Sequence, residues 1–105
     1  MAFLEVSIII GDILIKRIKT ALINGVPWMV RWAKKLDKRG DILGRCHTEK
    51  MLLEIAKKQS DEELVDTICH EVLHASAPDL TEEAVYRISN SISDTLLSMG
   101  LRFKK

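Results

Sequence analysis

Apolar positions recur at fours over residues 12–24, where Leu14, Ile18 and Leu22 share one face. This spacing predicts an N-terminal helix, ended by Asn24-Gly25 as a C-cap before Val26-Pro27. Residues 3–10 either extend that helix or form a strand, because the β-branched run Ile8-Ile9-Ile10 suits both. The period then changes to two. Over 28–36, Trp28, Val30 and Trp32 alternate with Met29, Arg31 and Ala33, the pattern of a strand. Asp37–Asp41 reads as a turn, 42–46 as a second strand, His47–Lys50 as another turn and 51–56 as a third strand. Strands at this hairpin spacing predict a small three-stranded antiparallel sheet.

From residue 60 the helical period returns. Ser60-Asp61-Glu62-Glu63 is a capping box, with Glu63 reaching back from the third helical position. Leu64, Ile68, Val72 and Ala75 form a core stripe, and Glu63, Thr67, His70 and His74 lie along a neighbouring one. Ala77-Pro78 ends this helix. Asp79 or Thr81 then caps a final amphipathic helix whose apolar face is Val85, Ile88, Ile92, Leu96 and Met99, closed by Gly100. Lys104-Lys105 is a solvated tail. The expected architecture is α+β: a single domain over 1–105 with an N-terminal helix, a small sheet and two C-terminal helices.

Composition narrows the class. At 47% apolar the chain can build a small core, and its net charge of +1 gives no overall polyelectrolyte character. The charge is unevenly placed, since residues 1–50 carry ten Lys/Arg and five Asp/Glu while 51–105 carry six and ten. Cys46 and Cys69 form no CxxC pair and read as reduced thiols of an intracellular protein. The apolar N-terminal stretch lacks a signal-peptide pattern. Glu5, Gly11, Asp12 and Lys16 interrupt it, so no transmembrane span is expected.

The chemistry concentrates in His70-Glu71-Val72-Leu73-His74. Helix positions four apart share a face, so His70 and His74 can offer two imidazole nitrogens to one zinc ion. Glu71 sits where it could act as general base toward a water on that zinc. A third ligand should follow the reversal at Pro78, where Glu82 and Glu83 stand. Glu82 lies nearer the buried side of its helix, about 85° from the apolar centre at 100° per residue, and is the preferred ligand. It competes with another use: with Asp79 as cap, Glu82 would complete a second capping box. Tyr86, one turn on, can donate to an oxyanion or simply pack. His47 and Cys46 read as structural or substrate-edge residues, and Cys69 as a core residue.

A second constellation is basic: Arg31, Lys34, Lys35, Lys38, Arg39 and Arg45, interleaved with Trp28 and Trp32. Such a hairpin can contact nucleic acid. Its tryptophans, however, fall on the strand face opposite Arg31, as core residues would.

The run SDEELVDTICHEVLHASAPDLTEEAVYRISNSISDTLL, residues 60–97, resembles the minimal zincin-like proteins found in phages, prophages and some archaea and bacteria. The upstream DILGRCHTEKMLLEIAK resembles the glycine turn and strand that precede the active-site helix there. The resemblance implies a metallopeptidase-like fold with an edge strand for a substrate peptide. It also implies zinc on His70, His74 and one of Glu82 or Glu83, with Glu71 as base. The third histidine of the SprT-like arrangement is missing, since position 78 is proline. The sequence therefore predicts a zinc-dependent peptidase-like protein. The alternatives are a non-catalytic zinc-stabilised module that binds nucleic acid or a protein partner through its basic hairpin, and a metal-free interaction domain.

Overall fold

The computed structural model describes residues 13–103, so the expectations for residues 3–10 and for the Lys104-Lys105 tail lie outside the described residues. The elements in order are β1 (Ile13–Ile15), β2 (Thr20–Ile23), β3 (Val26–Ala33), β4 (Gly44–His47), β5 (Leu52–Ala56), α1 (Asp61–Ser76), α2 (Glu82–Ser98) and β6 (Leu101–Phe103). The class is α+β. A four-stranded mixed sheet in the order β2-β3-β5-β4 packs against α1, and α2 packs on α1. β1 and β6 form a separate parallel pair.

Over its described part, residues 13–24, the expected helix is replaced by β1, a short connection and β2. Asn24 and Gly25 have φ of 51° and 76°, two successive left-handed residues that make a tight hairpin turn, not a helix cap. β2 and β3 therefore pair antiparallel from Ile23↔Val26 to Thr20↔Met29. Period two then decides what is buried: Ile23 is 5% exposed, whereas Leu22, a member of the expected helical face, is 74% exposed.

The antiparallel three-stranded arrangement is also corrected. β5 lies between β3 and β4, parallel to β3 and antiparallel to β4. Composition accounts for this order. Leu53, Ile55 and Ala56 of β5 are all buried, as suits an inner strand, while the Gly-Arg-Cys-His run of β4 is partly polar and takes the edge. Two core clusters follow. Ile23, Trp28, Leu53 and Ala75 form one, and Ile55, Leu64 and Val65 the other.

The Ser60–Glu63 capping box is present in both directions, at 3.1 and 3.0 Å. α2 buries the expected face only in part: Val85 is buried and Leu96 packs against the core as expected, but the contact is rotated toward two serines. Val85, Ser89 and Ser93 are buried against α1, while Ile92 and Met99 are 41% and 67% exposed. The serine hydroxyls donate to carbonyls one turn back, and Ser93 also to Asp66 Oδ1, so these small residues can be buried with their polar atoms satisfied. No helix among the described residues is long and apolar enough to cross a membrane.

Candidate metal centre

Two helix starts position the donors. The capping box fixes the register of α1, so His70 and His74 stand on one side of it, a turn apart. Ala77 closes α1 by donating to Leu73 O, and Leu80 donates to Ala77 O in the reversal that follows. Thr81 is the N-cap of α2, its hydroxyl accepting from Ala84 N at 3.1 Å. Glu82 is therefore the first helical residue, and its carboxylate takes no part in a capping box. It turns to the histidines instead.

His70 Nε2 and His74 Nε2 are 3.1 Å apart, and Glu82 Oε1 lies 3.3 Å from the first and 3.2 Å from the second. Zinc–nitrogen and zinc–oxygen bonds of about 2.0–2.1 Å in tetrahedral geometry place donor atoms roughly 3.3–3.4 Å apart. The three atoms thus form nearly one face of a tetrahedron, open on its fourth side. Two neutral imidazoles and one carboxylate are also a donor set that suits zinc. Among the described residues this is the group of histidine, cysteine and acidic side chains able to hold a metal ion. Glu83 is exposed and is not part of it. The Glu82 side chain is 64% exposed, against 15% for His70 and 27% for His74, so solvent reaches the centre from the α2 side.

Glu71 is 8% exposed. Burial, its largest influence, holds the carboxyl above its ordinary range; His74 pulls it back down, and Glu82 pushes it up. Behind it stands Gly44, the first residue of edge strand β4. A Cβ there would lie 2.6 Å from Thr67 Cγ2 and 2.9 Å from Glu71 Cγ, so strand and helix approach this closely only because position 44 is glycine. Two open clefts meet at Gly44, His70 and Glu71. One continues past Asp41–Leu43 and Tyr86, the other past Cys46, Thr48, His74 and Pro78. Together they make a groove along β4.

The chain matches no family model, no curated protein and no solved structure.

The remaining candidates have structural roles. Tyr86 packs its ring edge-on against His70, with centroids 4.8 Å apart. His47 Nε2 meets Glu54 Oε1 at 2.6 Å, and Arg31 Nη1 meets Glu54 Oε2 at 2.6 Å, a polar row across β4, β5 and β3. Burial raises the pKa of both Cys46 and Cys69, which keeps them neutral thiols and poor metal ligands. Trp28 is 6% exposed in the core, and Trp32 donates its indole N–H to Ile18 O while Arg17 lies over its ring, 5.8 Å from the centroid.

Three further positions shape the site; of these only Gly44 was assigned a part from sequence, as the glycine of the turn that the resemblance places before the helix. Gly44 gives the close approach, and Thr67 donates to Gln59 Oε1 at 2.8 Å. Gln59 in turn donates to Leu43 O and Ala56 O, which ties the approach to β4, the end of β5 and α1 together. Thr67 stands one turn before His70 on the histidine stripe, and that spacing was its only signal.

Proposed function

We propose that the chain is a zinc-dependent peptidase of the zincin-like type that cleaves an extended peptide laid along β4. The observation carrying this reading is the convergence of His70 Nε2, His74 Nε2 and Glu82 Oε1 at 3.1–3.3 Å, with the buried Glu71 carboxyl beside them. Bound there, zinc would supply Lewis acidity and make a water reactive near neutral pH.

The chain's own residues account for the rest. His70 and His74 hold the ion from α1, and Glu82 holds it from α2. The Tyr86 ring packs edge-on against His70 and supports its orientation. Glu71, whose burial favours the protonated form, is suited to take a proton from the attacking water and pass it to the leaving amine. β4 is the sheet's edge strand, and its free backbone groups are suited to align a substrate strand in the groove.

The test is Glu71→Gln, scored for both zinc content and cleavage of a peptide library. The reading predicts unchanged zinc and a fall in cleavage of at least about 100-fold. Cleavage that survives the substitution would overturn it. Zinc-loaded wild type with no cleavage of any peptide would leave a module in which the ion only ties α1 to α2.

A further inference from the structure

Two dilysine pairs, Lys34-Lys35 and Lys57-Lys58, stand 23 residues apart in sequence, one directly after β3 and one directly after β5. Because β3 and β5 are parallel, with Ala33 opposite Ala56, both pairs leave the sheet at the same end. Lys57 N donates to Ala33 O at 2.7 Å, which carries the pairing one residue past the strands. The loop after β3 folds back over this end, with Lys35 Nζ donating to Lys38 O at 3.0 Å. Lys34, Lys35, Arg39 and Lys58 line one open depression there.

The charge balance is local and large. Residues 34–41 and 57–58 hold six Lys/Arg and two Asp, a net +4 on a chain whose total is +1. One of the two acids, Asp41, meets Arg39 at 3.3 Å with both side chains mostly exposed, a surface pair that an incoming phosphate can displace. All six cations are exposed.

We propose that this end of the sheet binds the phosphate backbone of duplex nucleic acid without regard to base sequence. Lysines bind phosphates as point charges, contacts that carry no base information, and five of the six cations are lysines. Single-strand binding needs aromatic faces for stacking, and Trp28 is buried while Trp32 has Arg17 over its ring and its N–H bonded to Ile18 O. Docking on an anionic membrane needs apolar side chains beside the cations, and none of the exposed large hydrophobic residues lies within 34–41 or 57–58. The site is independent of the metal centre and does not rest on the peptidase reading.

The experiment is fluorescence anisotropy with a labelled random-sequence DNA duplex of about 20 base pairs, between roughly 50 and 200 mM salt. About four phosphate contacts give a log–log salt slope near −3.6, a fall in affinity of roughly 150-fold over that range. Lys34→Ala/Lys35→Ala and Lys57→Ala/Lys58→Ala should each weaken binding about tenfold or more and each reduce the slope by about 2. Lys50→Ala, in the turn at the other end of β5, should change neither. Circular dichroism melts establish that both double variants remain folded. Absence of binding at the lowest salt would overturn the proposal. So would binding insensitive to either lysine pair, tighter binding of the single strand than of the duplex, or binding only to vesicles of phosphatidylcholine and phosphatidylserine.

Discussion

Gly44 and Glu71 are in backbone-to-side-chain contact: a Cβ on Gly44 would stand 2.9 Å from Glu71 Cγ and 3.0 Å from its Oε2. The edge strand and the histidine helix are thus fitted to each other at the residue proposed as base. Gly44→Ala should push β4 from α1 or turn Glu71 away. Thr67, the nearer neighbour at 2.6 Å, is itself buried and has little room to yield. The expected cost is about 1–3 kcal/mol of stability, read as a lower urea midpoint, with a larger proportional loss of cleavage than of zinc. A variant of wild-type stability and activity would show that the contact relaxes freely.

Gly25 tests a different property. Nothing lies within 4 Å of a Cβ placed there, yet its φ is +76°. Gly25→Ala should therefore cost about 1–2 kcal/mol through backbone conformation alone. Asn24, its neighbour in the turn, also donates Nδ2 to Ser76 O at 2.9 Å, satisfying a carbonyl at the end of α1. Asn24→Ala removes that bond and a residue tolerant of the left-handed region together. Thermal melts of both variants should shift down, and an unchanged melt for Gly25→Ala would contradict the hairpin.

Glu54 gives the pH dependence. The hydrogen bond from His47 is the largest influence on its carboxyl and holds it below the ordinary value of 4.5; burial opposes this, and Arg31 adds to the lowering. A carboxyl depressed in the folded state contributes stability above its unfolded pKa and loses it as pH falls through the folded one. Glu54→Gln should therefore be less stable than wild type at neutral pH, with the gap closing below pH 4.5. Urea midpoints measured across that range decide it, and a gap independent of pH would contradict the account.

The histidine pair was legible in the sequence because everything that places it is local. A capping box sets the helix register, and a four-residue spacing sets the face. Glu82 could be preferred over Glu83 from its helical angle, but its release from capping required the choice of Thr81 over Asp79, which the sequence left open. The expected N-terminal helix failed for a physical reason, whereas the strands after it were legible from their period of two. Asn-Gly favours left-handed backbone and so serves a helix C-cap and a tight hairpin equally. The spacing of Leu14, Ile18 and Leu22 tipped the reading to the wrong one. The parallel pairing of β3 with β5 was illegible because it is set by which strand can be buried on both sides, and no turn residue records it. The close contact at Gly44 joins strand to helix across the fold, and no local pattern reports such a pair.

Zinc should also stabilise the fold, since its proposed ligands join the end of α1 to the start of α2. A chelator should lower the melting temperature of wild type, with a linkage of about 2.7 kcal/mol when free zinc stands at roughly 100 times its Kd. His74→Ala should show no such response to the chelator. An equal response in both proteins would place the bound metal elsewhere.

The central claim is that His70, His74 and Glu82 hold one ion, and metal content measures it most directly. Wild type, His74→Ala, Glu82→Ala and Glu83→Ala would be purified without added metal, incubated with zinc, desalted and analysed by mass spectrometry for metal per chain. The account predicts one zinc per chain in wild type and in Glu83→Ala, and its loss in the other two. Zinc kept by Glu82→Ala but lost by Glu83→Ala, or no zinc in wild type after incubation, would contradict it.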